Sequence, residues 1–295
     1  MKVLNFGSLN LDYVYQVPHF VRPGETLSSL SRVVKLGGKG LNQSIALARA
    51  GADVAHAGCI GTGGEVLKAQ LEKDGVDTSG LLTVDEMQGH TVIQVNREGE
   101  NCILLYGGSN QCVTEAQIAD TFSSYAAGDW LVLQNEVNNL PAIVDAAHAR
   151  GMIIALNPSP FDAKLDAVDF SKLSWLLVNE VEAAQISGSD DPDTAWAWLH
   201  ARYPKLSALI TLGSAGSVVY RVVGDGVETV RQPAFKVTAV DTTAAGDTFT
   251  GYFISGLMAN LPLAECMARA SRASSIAVTR LGAADSIPHL GEILS

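Results

Sequence analysis

The segment Asp241-Thr-Thr-Ala-Ala-Gly-Asp247-Thr-Phe-Thr-Gly251 sets a carboxylate behind a run of small residues. Ala244, Ala245 and Gly246 let backbone approach a ligand closely. The apolar pattern after Asp247 predicts a helix, whose free N–H groups and positive dipole end would face that ligand. Such a turn suits a phosphate that gains charge during transfer. A carboxylate there would repel phosphate unless it served the reaction, and drawing a proton from an attacking hydroxyl is such a service. The plainer alternative is that Asp247 caps the helix.

A second segment, Leu36-Gly-Gly-Lys-Gly-Leu-Asn-Gln-Ser44, places three glycines in four residues ahead of a helical pattern. Gly38 would allow close backbone approach, and Lys39 and Asn42 are polar groups able to hold hydroxyls; a glycine-rich loop with a solvated lysine is the competing reading. It is not a Walker A loop, because Gly40 follows the lysine where Ser or Thr is required. No G-x-G-x-x-G follows the first strand, which argues against a nicotinamide enzyme. A third segment, Gly7-Ser-Leu-Asn-Leu-Asp12, falls at the carboxyl end of the first strand, where open α/β sheets bind ligands. Asn10 and Asp12 are two apart, so on an extended chain they face the same way and could grip adjacent hydroxyls. A polar turn with Asx hydrogen bonds fits the same residues.

The elements that must position these groups read as alternating strands and helices. Val3–Phe6, Val54–Cys59, Trp130–Gln134, Met152–Leu156, Trp175–Val178 and Ala208–Leu212 are short apolar runs suited to strands buried on both faces. Asn42–Ala50, Glu65–Asp74, Ile143–Arg150, Glu180–Ser187, Thr194–Tyr203, Gly246–Met258 and Leu263–Thr279 carry helical patterns. This order predicts a mostly parallel sheet covered by helices on both faces. Two stretches, about 13–36 and 89–106, lack flanking helices. The second reads as a hairpin, and both are expected to form a small projecting sheet within a single domain spanning 1–295.

The chain has 295 residues, 47% of them hydrophobic, enough for a sizeable core. A net charge of −11 repels phosphate backbones and argues against nucleic acid as partner. Four cysteines, Cys59, Cys102, Cys112 and Cys266, have neither CxxC spacing nor a histidine cluster and are expected as reduced thiols. The opening MKVLNFGSLNLD reads as a strand rather than a signal peptide. No apolar run reaches the roughly 18 residues that span a bilayer. A cytoplasmic protein is the default expectation. The histidines show no metal spacing.

The three segments, in this order and at these separations, resemble the ribokinase-type members of the PfkB carbohydrate kinase family. The resemblance covers essentially the whole chain. It includes Gln134-Asn-Glu136, Asn157-Pro-Ser-Pro160, Asn179-Glu-Val-Glu182, Thr211-Leu-Gly-Ser-Ala-Gly216 and Ala277-Val-Thr-Arg-Leu-Gly282 with Ser286. It implies a three-layer α/β sandwich with a β-sheet lid, and transfer of phosphate from ATP to a sugar hydroxyl. Asp247 would be the base, with Ala244–Gly246 as the anion hole. Asn10, Asp12, Gly38, Lys39, Asn42 and Glu136 would hold the sugar. Asn179, Thr211, Gly213, Ser214, Gly216 and Gly246 would line the ATP site, with Ser271 near the adenine. Asn179 and Glu182 would position Mg²⁺, largely through water. Asp241, Thr243, Ala277, Arg280, Gly282 and Ser286 would hold K⁺, mostly through backbone carbonyls. Two lids would pair into a homodimer. The chain departs from the family in two places. Gly61-Thr-Gly-Gly-Glu-Val66 lacks the usual Gly-x-Asp-x-x-Gly, and Gln88-Gly-His-Thr91 stands for Thr-Gly-x-Ala. The family's lid side chains lie near the sugar there, so the resemblance implies that His90 and Thr91 could alter the pocket, with His90 as a surface-facing lid residue the plainer alternative.

Overall fold

A computed structural model describes residues 1–294. In chain order the strands are β1 (Val3–Phe6), β2 (Asn10–Gln16), β3 (Ser31–Gly37), β4 (Val54–Thr62), β5 (Asp77–Met87), β6 (His90–Val95), β7 (Asn101–Tyr106), β8 (Trp130–Gln134), β9 (Ile153–Asn157), β10 (Trp175–Asn179), β11 (Ser207–Thr211), β12 (Ser217–Val223) and β13 (Gly226–Gln232). The α-helices are α1 (Lys39–Arg49), α2 (Glu65–Lys73), α3 (Glu115–Phe122), α4 (Leu140–Ala149), α5 (Glu180–Ser187), α6 (Pro192–Arg202), α7 (Ala245–Met258), α8 (Leu263–Ala277) and α9 (Leu290–Leu294).

Nine strands form one sheet in the order β13-β12-β11-β10-β9-β8-β1-β4-β5. The run from β11 to β5 is parallel throughout, and β12 and β13 add antiparallel to one edge. Side chains alternate between the two faces. Val3, Trp130 and Val132 join a core with α1, α2, α7 and α8, whereas Leu4, Phe6 and Leu131 join a second core with α3, α4 and α6. Strands buried on both faces give the continuous apolar runs seen in the sequence.

A separate four-stranded sheet has the order β3-β2-β6-β7. It comes from the two stretches that lacked helices. Its strands β2 and β3 begin and end beside the main sheet, since β2 follows β1 after a short turn and β3 runs directly into α1. Two parts of the main sheet were not anticipated. Strand β5 lies at an edge and pairs with β4 through register shifts, so it shows neither a buried run nor a clean period of two. The β12–β13 hairpin closes the opposite edge through Gly224–Asp225, a two-residue turn rich in turn formers.

Helices α1 and α7 touch closely across the first core. A Cβ on Gly251 of α7 would lie 2.4 Å from Ala46 Cβ and 2.8 Å from the Leu47 backbone nitrogen of α1. Gly251→Ala should therefore push the helices apart at a cost of about 1–3 kcal/mol. Thermal unfolding should show a midpoint several degrees lower. A midpoint unchanged within a degree would mean that this contact yields freely.

Candidate active site

From β1 the chain moves outward to β4 and β5, then returns to β8 on the opposite side of β1. Such a reversal opens a crevice at the carboxyl ends of the two central strands. The turn after β1 carries Ser8 and leads into Asn10, the first residue of β2, and the turn after β8 carries Glu136. The Ser8 hydroxyl donates to Glu136 Oε2, and the Lys39 backbone N–H donates to the same oxygen at 3.2 Å. The first turn of α1 presses onto this crevice: a Cβ on Gly40 would stand 2.4 Å from the Ser8 nitrogen, so only glycine fits.

Asp247 does not cap its helix. The N-cap of α7 is Ala244, at φ 60°, and Asp247 is the third helical residue. Its carboxylate turns instead toward α1. Oδ2 accepts from Asn42 Nδ2 and Oδ1 from Gln43 Nε2, both at 2.9 Å. Asp247, Gly246, Ala245 and Ala244 line a cavity of about 230 Å³ together with Lys39 and Glu182. Asn157, Asn179 and Thr211 reach the same space. A helix N-terminus, a buried carboxylate and an ammonium thus share one cleft, which can orient a hydroxyl, accept its proton and hold an anion.

Burial alone would depress the Lys39 ammonium; the carboxylates of Asp247, Glu136 and Glu182 outweigh it and hold Lys39 above the ordinary lysine value. Burial raises the Glu136 carboxyl, against the Lys39 charge and the Ser8 bond. Burial also raises Asp12, partly offset by a hydrogen bond from Thr91 and by the charge of Lys35. Asn42 Oδ1 is buried with no partner, which leaves an acceptor for a donor from a ligand.

Several residues of the site have roles that the sequence does not reveal, even where they fall within its motifs. Gln43 stands beside Asn42 in the same motif, yet only the fold shows that both reach Asp247. Behind it, Gln134 Nε2 donates to Gln43 Oε1 at 2.7 Å and to Asn5 Oδ1 at 3.0 Å, while Gln43 Nε2 also reaches Asn157 at 3.2 Å. Asn5 in turn donates to Ser44 Oγ, which bonds His56 Nδ1 at 2.8 Å. Asn110, on a short turn after β7, donates to Asn10 Oδ1 at 2.8 Å and so leaves the Asn10 amide to act as donor.

On the opposite side of the cavity, Asn179 caps α5. Its side chain accepts from the Glu182 N–H at 2.8 Å, and Glu182 Oε2 accepts from the Asn179 N–H at 3.1 Å, a reciprocal capping box. Gly213 and Ser214 form an exposed turn after β11, followed by Gly216 at φ 103°. Those three lie outside the cavity lining, as does Ser271, which is buried on α8. The loop before α7 meets the end of α8: the N–H groups of Val240 and Asp241 donate to Val278 O at 2.7 and 3.2 Å. Asp241 Oδ1 accepts from the Thr243 N–H at 2.9 Å, and Oδ2 from the Gly282 N–H at 3.0 Å. Burial would raise the Asp241 carboxyl, but these bonds and Lys35 at 3.7 Å hold it low. Ala277 and Ser286 are fully buried at this junction, and the Arg280 side chain turns away to Glu292.

The fold and this cleft together define an α/β phosphotransferase for a small hydroxylated molecule. A family model described as pfkB family carbohydrate kinase matches residues 1–290. The chain belongs to that family. It is 35% identical to the ribokinase of Haemophilus influenzae, over 98% of this chain and 95% of that one. It is 36% identical to the ribokinase of Staphylococcus aureus, over 99% and 98%. Among solved structures, a ribokinase from Cryptococcus neoformans in complex with ADP matches with a TM-score of 0.85 and 36% identity, covering 99% of this chain and 98% of that one. The expected three-layer α/β fold is thereby borne out.

His56 supplies a test of the network behind the site. Burial holds its imidazole down to about 4, against a bond to Gly7 O, compared with the ordinary 6.5. An unfolded chain therefore takes up a proton between pH 6.5 and 4 that the native protein refuses, and stability falls as pH drops through that window. His56→Gln removes this contribution. The stability difference between parent and variant, measured by denaturant unfolding, should shrink by roughly 3 kcal/mol from pH 7.5 to pH 4. A difference constant with pH would place His56 in a solvated setting.

Proposed function

We propose that this enzyme transfers the γ-phosphoryl group of ATP to the 5-hydroxyl of D-ribose. The observation that carries the reading is the Asp247 carboxylate. It is fixed by Asn42 and Gln43 at the N-terminus of α7, on the wall of the cavity it shares with Lys39. In this reading Asp247 takes the hydroxyl proton, and the N–H groups of Gly246 and Asp247 in the first turn of α7 receive the charge that builds on the transferring group, while the Ala245 N–H is bonded to Thr242 O at 3.2 Å. Lys39 adds a cation between the carboxylates and the phosphate. Asn10, Asp12, Gly38, Asn42 and Glu136 align the sugar, and Asn179, Thr211, Gly213, Ser214, Gly216 and Ser271 face the nucleotide. Most of the rate gain comes from positioning and electrostatics. The relatives named ribokinase support ribose as acceptor.

Two ions belong to this reading. No group of three or more metal-type side chains occurs among the described residues. Glu182 and Asn179 at the cavity wall suit Mg²⁺ bound mainly through water and nucleotide phosphates, where it would neutralise phosphate charge. K⁺ suits the junction of Asp241 and Thr243 with Ala277, Arg280, Gly282 and Ser286, and would order the loop that leads into α7. We also read residues 1–295 as a single kinase domain. The four-stranded sheet acts as a lid, and two lids pair into a homodimer. Val33 and Val34 on β3 and Ile103, Leu104, Leu105 and Tyr106 on β7 are exposed on its two edge strands, which is apolar surface that a partner lid would cover. All four cysteines are free, in keeping with a reducing cytoplasm.

An assay of ADP release across pentoses, hexoses and nucleosides tests the acceptor. Ribose should give the highest kcat/KM, and a nucleoside or ketohexose tenfold better would sink the ribose reading while leaving the kinase standing. Asp247→Asn preserves shape and hydrogen bonding but not basicity. Its turnover should fall by roughly 10² to 10⁴ with ATP binding little changed. Turnover near the parent value would remove Asp247 from the role of base.

A further inference from the structure

Asp12 has closer neighbours than its role as a sugar ligand would require. Strand β2 pairs with β6 in parallel and with β3 antiparallel, in a register that sets Asp12 opposite Thr91 on one side and Lys35 on the other. The Thr91 hydroxyl donates to Asp12 Oδ1 at 2.6 Å, and Thr91 is 8% exposed. Asp12 Oδ2 lies over Gly37, where a Cβ would come within 1.9 Å of it. Lys35 completes the surround and reaches on to Asp241 at 3.7 Å. The carboxylate is thus held in one orientation by groups from both flanking strands.

We propose that Thr91 is a specificity-determining residue of this enzyme: it fixes the Asp12 carboxylate and sets its own hydroxyl oxygen beside it, so that the lid recognises a vicinal diol. This rests on the reading that Asp12 grips the acceptor. A hydroxyl has one proton, and that of Thr91 goes to Asp12, so the oxygen keeps lone pairs that can only accept. Asp12, ionised, also accepts. Two acceptors side by side match two neighbouring hydroxyls that both donate. An alanine or valine at position 91 would offer neither the bond to Asp12 nor the second acceptor. A deoxy sugar that lacks one of the two hydroxyls leaves an acceptor unpaired in a buried place, which is the effective way to reject an analogue. Thr91 and Lys35 also work together against the burial that raises Asp12, so the carboxylate stays available as an acceptor at lower pH than it otherwise would.

The test compares Thr91→Val, which keeps the shape and removes the hydroxyl, with Thr91→Ser, which keeps the hydroxyl. Thr91→Val should raise KM for the sugar about tenfold, leaving kcat and KM for ATP within twofold. The preference for ribose over 2-deoxyribose should fall by a similar factor. The acid limb of kcat/KM for the sugar should move to higher pH, and Thr91→Ser should restore all three. A valine variant that matches the parent in KM, in sugar preference and in the acid limb overturns the proposal. So does a serine variant as impaired as the valine, because the methyl packing would then be what matters. Asp12→Ala separates this outcome from failure of the underlying reading: if sugar KM is unmoved there, Asp12 is not a sugar ligand. If the parent prefers another sugar, the comparison runs with that sugar and its deoxy analogue, so ribose can fail as acceptor while Thr91 retains its role.

Discussion

The site depends on one contact between distant parts of the chain. Asn42 and Gln43 donate to a carboxylate 205 and 204 residues further along. For those bonds to form, α1 and α7 must lie against each other with their N-terminal ends level. Gly251 beside Ala46 permits that approach, and the Ser255 hydroxyl bonded to Ala50 O at 3.0 Å holds the far end. A carboxylate buried to this degree needs donors, and two neutral amides supply them without adding a charge that would neutralise it. Lys39, one turn earlier on α1, then brings positive charge into the same space from the same helix.

Behind that contact lies a chain of polar side chains that crosses the middle of the sheet. Asn5 on β1, Gln134 on β8, Asn157 on β9 and His56 on β4 come from four separate strands, and Gln43 and Ser44 from α1. Each has a partner within the set, although Gln134 Oε1 is buried without one, and the network fixes how α1 sits on the strands. Its rigidity is passed to Asp247 through Gln43.

Much of this could be read from the sequence, and the reasons are physical. Strands buried on both faces leave unbroken apolar runs, so Trp130–Gln134 and the strand before Asn179 were plain. Helix starts were marked by small residues and caps, and Glu180–Ser187 follows a capping box visible as Asn179-Glu-Val-Glu182. Edge strand β5 was missed because one of its faces meets solvent and its pairing is interrupted. Within the site, Asp247, Lys39 and Asn42 announced themselves by residue type and spacing. Gln43, Gln134 and Asn110 did not, because a glutamine or asparagine is ordinary until the fold supplies a carboxylate or an amide for it to hold. The capping alternative for Asp247 could be set aside only once Ala244 was seen to occupy the cap.

Where the chain runs gives the four-stranded sheet a further property. Strand β3 ends at Gly37, and α1 starts at Lys39, with Gly38 between them at φ 95°. Only three residues, Gly7, Ser8 and Leu9, separate β1 from β2. The four-stranded sheet is therefore tied to the rest of the molecule by short links, these two together with Gln88–Gly89 between β5 and β6 and Gly107 after β7, and the link from β3 bears directly on the turn that carries Lys39 and, a few residues on, Asn42 and Gln43. A tilt of the four-stranded sheet would act on the start of α1 with only Gly38 between them. Were the four-stranded sheet to move with a bound ligand, the displacement would travel through covalent chain to Asn42 and Gln43, which hold Asp247.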